Sequence, residues 1–129
     1  MSKCILFCDD DIHIVRAAEI KFRHAGYEVH TASDGEEALE SIRAGRPDLL
    51  ITDCQMPRLD GLGLIQRLRE DPATADLPVM MLTGKGFELS HDELAKRWNI
   101  LAILPKPFSP RDLLRRVDAI LNPAACTTT

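Results

Sequence analysis

The amino-acid sequence predicts an α/β domain in which helices cover both faces of a parallel sheet. Four short apolar runs, each suited to a strand buried on both faces, end at a polar residue. Segments with helical periodicity lie between them, and every connection is long enough for a right-handed strand-helix-strand crossover. With a weaker additional strand, this alternation predicts a doubly wound domain of three layers.

Size and composition set limits on the function. The 129 residues suffice for one core, and the net charge of −4 argues against general affinity for nucleic acid, so direct binding of nucleic acid is not expected. No apolar stretch approaches the roughly 20 residues that cross a bilayer, and the N-terminus is too short for a signal peptide. We therefore expect a cytoplasmic protein without a membrane segment.

The four cysteines are interpreted as packing residues. They follow neither a zinc-finger nor a disulfide-framework spacing, and three of them lie in or beside apolar runs, which indicates reduced and mostly buried thiols. The four are Cys4, Cys8, Cys54 and Cys126.

Five segments are predicted to be strands. The four apolar runs contain hardly any polar residue, as is typical of strands covered on both faces, whereas the fifth segment alternates only weakly. In chain order the strands are residues 5–8, 27–31, 49–52, 79–82 and 100–104.

The first two helices are predicted from periodicity and from the residues that begin and end helices. Asp11 is interpreted as the N-cap of the first helix, and Gly26 closes it. A turn at Asp34 precedes a second helix over residues 36–44, which ends at Gly45. The apolar positions of the first helix recur three and four residues apart: Val15, Ala18, Phe22 and Ala25.

The second half of the chain contains three further helices. The third follows Gly61, and the fourth covers residues 89–98 with the least regular periodicity. The fifth begins with Ser109 as N-cap and Pro110 at the first helical position. Its predicted end at residue 122 closes a single domain of residues 1–122, which leaves residues 123–129 as a tail that is disordered or begins a linker.

The polar residues that end the apolar runs are candidates for a functional site. They are Asp9 and Asp10 after the first run, then Asp53, Thr83 and Lys106 after the others. In open parallel sheets a polar site forms beyond the carboxyl ends of the strands, so these residues are expected to converge. Each alone has a structural explanation, but their joint occurrence favours a site.

The chemistry of this set indicates phosphate and a hard cation. Carboxylates held close together repel one another unless a proton or a cation lies among them. The sparse set of Asp9, Asp10 and Asp53 suits Mg²⁺ better than Ca²⁺, which takes roughly six to eight oxygen ligands. An aspartate, a hydroxyl and a lysine are what phosphoryl transfer requires as nucleophile, hydrogen-bond donor and neutralising charge.

Four stretches of the sequence resemble the receiver domain of two-component response regulators. They are residues 5–10, 51–61, 82–84 and 104–108, and together they extend the similarity over nearly the whole chain. The Asp-x-x-Met-Pro-x-x-Asp-Gly pattern within residues 51–61 is moderately specific by itself, but its occurrence with the other three stretches in this order and spacing is strongly specific. The resemblance implies that residues 1–122 form a flavodoxin-like (βα)5 receiver with strand order 2-1-3-4-5.

The resemblance also implies a role for each site residue. Asp53 would accept a phosphoryl group from a sensor histidine kinase or a histidine phosphotransfer protein. Asp10 and Asp53 would bind Mg²⁺ directly, with Mn²⁺ able to substitute, Asp9 would act through water, and the backbone carbonyl of Gln55 would complete the protein ligands. The domain would catalyse only its own phosphorylation and dephosphorylation, and would not be an enzyme with a turnover substrate.

The implied switch depends on two further positions. Lys106 would pair with the phosphate, and Thr83 would move toward it, changing the surface of the fourth helix, fifth strand and fifth helix toward a downstream target, an output domain or a dimer partner. The family usually has an aromatic residue where this chain has Ile103. Trp98 either replaces that aromatic or is a core or interface residue.

Two other classes of function stay open at this point. One is a receiver-like binding module that works without phosphate, suggested by Ile103. The other is a haloacid-dehalogenase-like phosphatase, suggested by the Asp-x-Asp spacing of Asp9 and Asp11 but lacking a clear downstream acidic pair. The sequence also leaves open whether the receiver stands alone or is part of a longer regulator.

Overall fold

The computed structural model describes residues 3–84, 91–106 and 109–121. The predicted tail over residues 123–129 and the predicted start of the fourth helix lie outside this part of the chain. Within it, strands and helices alternate: Cys4–Cys8 (β1), Ile12–His24 (α1), Glu28–Ala32 (β2), Gly35–Ala44 (α2), Leu49–Asp53 (β3), Gly61–Glu70 (α3), Val79–Thr83 (β4), His91–Trp98 (α4), Ala102–Pro105 (β5) and Pro110–Leu121 (α5).

The strands form one parallel sheet in the order β2-β1-β3-β4-β5. This confirms the predicted doubly wound (βα)5 architecture and its strand order. β2 lies on one side of β1, whereas β3, β4 and β5 follow one another on the other side. Where the strand order reverses in this way, between β1 and β3, a crevice forms beyond the carboxyl ends of the strands. Residues at the ends of these two central strands therefore face a common space.

Apolar side chains fill both layers between the sheet and the helices. Successive strand residues point to opposite faces, so Leu6 packs on the side of α2, α3 and α4, whereas Phe7 packs on the side of α1 and α5. The predicted apolar stripe of α1 is buried at Val15, Ala18 and Phe22. Among the described helices, none is long and apolar enough to cross a membrane.

Two helix starts follow the predicted capping chemistry. The Asp11 carboxylate accepts hydrogen bonds from the backbone N–H groups of His13 at 3.0 Å and Ile14 at 3.4 Å, so Asp11 is the N-cap of α1. At the start of α5, the Ser109 hydroxyl oxygen accepts a long bond of 3.5 Å from the N–H of Asp112. Both caps satisfy donors that the first helical turn leaves unpaired.

The observed strand boundaries lie within two residues of the predicted ones, and two strands begin later than predicted. β2 begins at Glu28 rather than residue 27, because the N–H of Tyr27 still donates to the carbonyl of Phe22 at the end of α1. β5 begins at Ala102 rather than residue 100. Ile100 is apolar because it is buried after α4, where its N–H donates to the carbonyl of Ala95.

Candidate functional site

The sheet brings the predicted polar residues together at its carboxyl end. Asp9 follows β1, Asp53 ends β3 and Thr83 ends β4, and these three are 1%, 5% and 2% exposed. Lys106 follows β5 and is held by a bond from its backbone N–H to the carbonyl of Thr83 at 2.8 Å. Asp10 remains exposed at the rim. The convergence expected from the strand ends is therefore observed.

An open cavity of about 570 Å³ lies above Asp53. Its walls come from the loops that follow β1, β3, β4 and β5, so a ligand there can reach side chains from all four. The lining residues are Asp10, Asp53, Gln55, Met56, Pro57, Gly84 and Lys106.

Lys106 bridges the two buried carboxylates. Its Nζ lies 2.8 Å from Oδ2 of Asp9 and 3.3 Å from Oδ2 of Asp53. Because the side chain of Lys106 is only 19% exposed, water screens this charge poorly. The ammonium group is thus fixed at the base of the cavity, where it can pair with an incoming anion as well as with the aspartates.

The three aspartates form a set of oxygen ligands. Asp9, Asp10 and Asp53 each offer a carboxylate oxygen within 4.8 Å of the others. Oδ1 of Asp9 accepts a bond from the backbone N–H of Asp11 at 3.0 Å. Oδ2 is enclosed and forms an ion pair with Lys106 at 2.8 Å, but it accepts no well-aligned hydrogen bond from any described residue. An all-oxygen set with an under-satisfied carboxylate fits a hard divalent cation such as Mg²⁺.

The ionisation of the site residues reflects this crowding. Burial raises the pKa of Asp53, and the neighbouring Asp9 charge raises it further, while Lys106 only partly opposes both effects. Burial lowers the pKa of Lys106, but its close ion pair with Asp9 and the charge of Asp53 outweigh burial, so the net shift is upward. The folded domain holds a charged lysine and a destabilised carboxylate side by side.

Replacing Asp53 by asparagine is expected to stabilise the cation-free domain at neutral pH by about 0.5–2 kcal/mol, as is common when functional charges are removed. The pKa of Asp53 is higher in the folded domain than in the unfolded chain, so ionising this carboxyl costs more free energy when the domain is folded. The wild type therefore loses stability as the pH rises from the unfolded-state pKa of Asp53 through its folded-state pKa. Asparagine does not ionise, and Lys106 keeps Asp9 as its partner. The stability difference should therefore be small at low pH and grow across this window.

Urea unfolding of both proteins at a series of pH values, with and without Mg²⁺, measures this difference. Added Mg²⁺ should reduce the difference in stability between the two proteins, since the cation offsets the carboxylate repulsion only in the wild type. A wild type as stable as the Asp53→Asn variant at neutral pH without Mg²⁺ would show that the pKa of Asp53 is not raised.

The backbone beneath Asp53 leaves room for glycine alone at the start of α3. The N–H of Gly61 donates to the carbonyl of Cys54 at 2.9 Å, and the N–H of Cys54 donates to Leu82 of β4 at 2.8 Å. A Cβ on Gly61 would lie 2.1 Å from the carbonyl oxygen of Asp53. The Asp60-Gly61 pair of the sequence motif thus has a structural role, with Asp60 as N-cap of α3.

Two residues connected with the expected switch lie in the layer beside α2, α3 and α4. Ile103 is partly buried against that core, beside Met81 in the sheet. Trp98 packs against the same core, and the Arg97 guanidinium lies 5.3 Å from the centre of its ring. This packing agrees with the interpretation of Trp98 as a core aromatic.

The cysteines near the site are inert packing residues. Cys8 and Cys54 are buried and free, and burial raises the pKa of Cys8 to about 12 and that of Cys54 to about 11. Their thiols are therefore protonated and enclosed, which confirms the packing interpretation for these two. Cys126 lies outside the described residues.

Comparison with known proteins assigns the chain to a family. The model of the response regulator receiver domain matches residues 5–118, so the chain belongs to the response regulator receiver family. Members act in two-component signalling with histidine kinases, as regulators rather than as enzymes.

Individual relatives agree with this assignment. The alkaline phosphatase synthesis transcriptional regulatory protein PhoP of Bacillus subtilis is 39% identical over 95% of this chain and 50% of its own length. The phosphate regulon transcriptional regulatory protein PhoB of Pseudomonas aeruginosa is 36% identical over 95% of this chain and 53% of its own. The chain thus spans about half the length of these relatives.

Solved structures of similar length share the fold closely. The chemotaxis protein CheY4 of Vibrio cholerae is 30% identical with a TM-score of 0.84, covering 94% of this chain and 100% of its own. The receiver domain of the Francisella response regulator 1452 is 31% identical with a TM-score of 0.84, covering 95% of this chain and 99% of its own.

Proposed function

We propose that this receiver accepts a phosphoryl group on Asp53 from the phosphohistidine of a sensor histidine kinase or a histidine phosphotransfer protein. One arrangement carries the proposal: the Asp53 carboxylate opens into the cavity, with Nζ of Lys106 at 3.3 Å and further carboxylates within 4.8 Å. A nucleophile, a fixed positive charge and a set of cation ligands are the parts that phosphoryl transfer needs.

The transfer follows from these positions. An oxygen of ionised Asp53 attacks the phosphorus, the phosphorus–nitrogen bond of the donor breaks, and imidazole leaves as an aspartyl phosphate forms. Lys106 pairs with a phosphate oxygen, and the Thr83 hydroxyl donates to another. Mg²⁺, or Mn²⁺ in its place, would be held by Asp10, Asp53 and the Gln55 carbonyl, with Asp9 acting through water, and would neutralise charge on the transferring group.

Phosphorylation then acts as a switch. Movement of Thr83 toward the phosphate would pull on the loop after β4, which leads into α4. The affected surface comprises α4, β5 and α5, and Ile103 on β5 would transmit the change by packing rather than by rotation of an aromatic ring. This surface would contact a downstream target, an output domain or a second phosphorylated copy.

The setting and partners form part of the same proposal. The free cysteines among the described residues fit a reducing compartment such as the cytoplasm. Similar proteins of about twice this length are named transcriptional regulators. The receiver would accordingly act either by itself or through an attached output domain. In the second case the output domain would bind DNA, and residues 1–122 would bind no nucleic acid.

Intact-mass measurement after incubation with acetyl phosphate and Mg²⁺ tests the proposal. We expect a mass increase of one phosphoryl group on the wild type and none on Asp53→Asn. Asp11→Asn is the matched control, because Asp11 is a nearby acid whose role as N-cap asparagine can fill, and this variant should keep the adduct. A wild type without an adduct would favour the phosphate-independent binding module.

The phosphatase alternative is not favoured by the position of Asp11. Both bonds of its carboxylate go to backbone N–H groups of α1, and its side chain lies outside the lining of the cavity above Asp53. Turnover of a phosphate monoester that depended on Asp11 would be needed to restore this alternative.

A further inference from the structure

Three side chains of different chemistry meet near the amino ends of β1 and β2, at the opposite end of β1 from Asp9. Cys4 is paired in register with Glu28 across the two strands. His30 lies two residues further along β2 and therefore on the same face of the sheet as Glu28. The Cys4 sulfur, a Glu28 carboxylate oxygen and a ring nitrogen of His30 lie within 4.8 Å of one another.

The immediate surroundings favour a cation. Nε2 of His30 lies 3.0 Å from Oε2 of Glu28. A second carboxylate, that of Asp48, accepts a hydrogen bond from the backbone N–H of Cys4 at 2.7 Å and adds negative charge beside the sulfur. No lysine or arginine forms an ion pair with Glu28 or Asp48 among the residues that the structure describes.

The cluster is also accessible. The side chains of His30 and Glu28 are 56% and 62% exposed, and Cys4 is partly buried. An ion can therefore enter from solvent, and only short side-chain movements are needed to bring the three ligand atoms to bonding distance. The rigid pairing of β1 with β2 holds Cys4 and Glu28 in place before any ion binds.

We propose that Cys4, Glu28 and His30 form a second metal site, selective for Zn²⁺ and chemically similar transition metals rather than for Mg²⁺. Sulfur, imidazole nitrogen and carboxylate are the ligands that Zn²⁺ takes in proteins, whereas Mg²⁺ requires oxygen. Three protein ligands leave the fourth tetrahedral position to water. When the sulfur binds the ion, its thiol proton passes to solvent and no group changes its oxidation state.

The proposed site differs from a surface ion pair in what it requires of Cys4. Without an ion, the Glu28 carboxylate pairs with His30 and is hydrogen-bonded to the Cys4 thiol, which keeps its proton because burial and the carboxylates of Glu28 and Asp48 raise its pKa to about 11. A bound ion would instead connect the beginning of β1 to β2, so the sulfur of Cys4 would be essential.

Cobalt binding by the full-length chain provides the test, because a Co²⁺–thiolate bond absorbs in the near ultraviolet whereas Co²⁺ on carboxylates alone does not. Titrations in excess Mg²⁺ keep the acidic cavity occupied by the harder ion. We expect thiolate-to-cobalt absorption that saturates at one ion per chain and disappears when Zn²⁺ is added. Cys4→Ser should abolish the absorption.

His30→Ala should weaken Co²⁺ binding by more than the about 10–100-fold that follows loss of an outer-shell partner. Because the His30 side chain is 56% exposed, this substitution should change stability little, so it tests the site even if Cys4→Ser reduces stability. Three variants should keep the absorption: His24→Ala as a matched exposed histidine, Cys126→Ser as a second thiol, and Asp53→Asn in the acidic cavity.

Three outcomes would overturn the proposal. One is a wild type without thiolate-to-cobalt absorption, and another is absorption that survives in Cys4→Ser. The third is an affinity of His30→Ala for Co²⁺ equal to that of the wild type, which would mean that the Cys4 thiol binds cobalt without help from His30. None of these outcomes bears on phosphorylation of Asp53, since the two sites share no residue.

Discussion

Gly61→Ala is expected to destabilise the domain by about 3 kcal/mol, at the upper end of the usual cost of overpacking, and to reduce phosphoryl transfer to Asp53. The added Cβ would lie 2.1 Å from the carbonyl oxygen of Asp53. Backbone atoms cannot rotate away as a side-chain end can, so either α3 or the end of β3 must shift. Since Asp53 ends β3, a shift there displaces the carboxylate from Lys106.

Gly45→Ala is the matched control. Nothing lies within 4 Å of a Cβ built on Gly45, and its extended backbone suits alanine. Its stability should be unchanged or slightly higher, because alanine restricts the unfolded chain more than glycine does. Urea denaturation and intact-mass phosphorylation of both variants give the comparison. Equal stability of the two variants would mean that α3 can move away from Asp53 at little cost.

Arg69→Met is expected to cost about 3–4 kcal/mol, because hydrogen bonds from a charged donor contribute about 1.5–3 kcal/mol each and several are lost together. The Arg69 guanidinium, on α3, donates to backbone carbonyls in the loop that precedes β4, at the end of α4 and in the loop between α4 and β5. The acceptors are the carbonyl oxygens of Trp98 at 2.8 Å, Leu77 at 2.9 Å, Asn99 at 3.0 Å, Ala75 at 3.1 Å and Thr74 at 3.3 Å. Methionine retains the apolar stem but leaves these carbonyls without their donor.

Arg67→Met separates this effect from loss of an arginine in general. Arg67 is exposed on the same helix and should change stability by no more than about 0.5 kcal/mol. Arg69→Lys should recover little stability, since an ammonium group cannot span acceptors that the planar guanidinium reaches in two loops. Denaturant midpoints of the three variants are the measurement. A small effect of Arg69→Met would imply that water replaces the guanidinium.

The fold and the acidic site were accessible from the sequence for the same reason. Buried parallel strands require continuous apolar runs, and Asp9, Asp53, Thr83 and Lys106 each follow such a run. Because parallel strands all end on one side, their positions in the chain suffice to predict that they meet. Their roles in phosphoryl transfer rest on the proposal above and its test.

Features that depend on how loops meet were not predicted. Arg69 has no periodicity or motif to distinguish it from other arginines on helix surfaces, and its acceptors belong to loops joined only in the folded chain. Zinc-finger and disulfide spacings are patterns along the chain, and the cysteines of this sequence match neither. Cys4 meets Glu28 and His30 through strand pairing, and a Glu-x-His pair on a strand beside Cys4 was the signal that could have revealed the cluster.

The two outer strands determine how the domain resists aggregation at high protein concentration. β2 presents the polar Glu28, His30 and Thr31 to solvent, and β5 is only four residues long and ends at Pro105, which lacks an N–H group. Polar side chains and proline discourage strand addition from another molecule, the first step of β-aggregation. Association of two phosphorylated copies through α4, β5 and α5 would therefore proceed without strand-to-strand pairing at β5, and would not extend the sheet into a fibre.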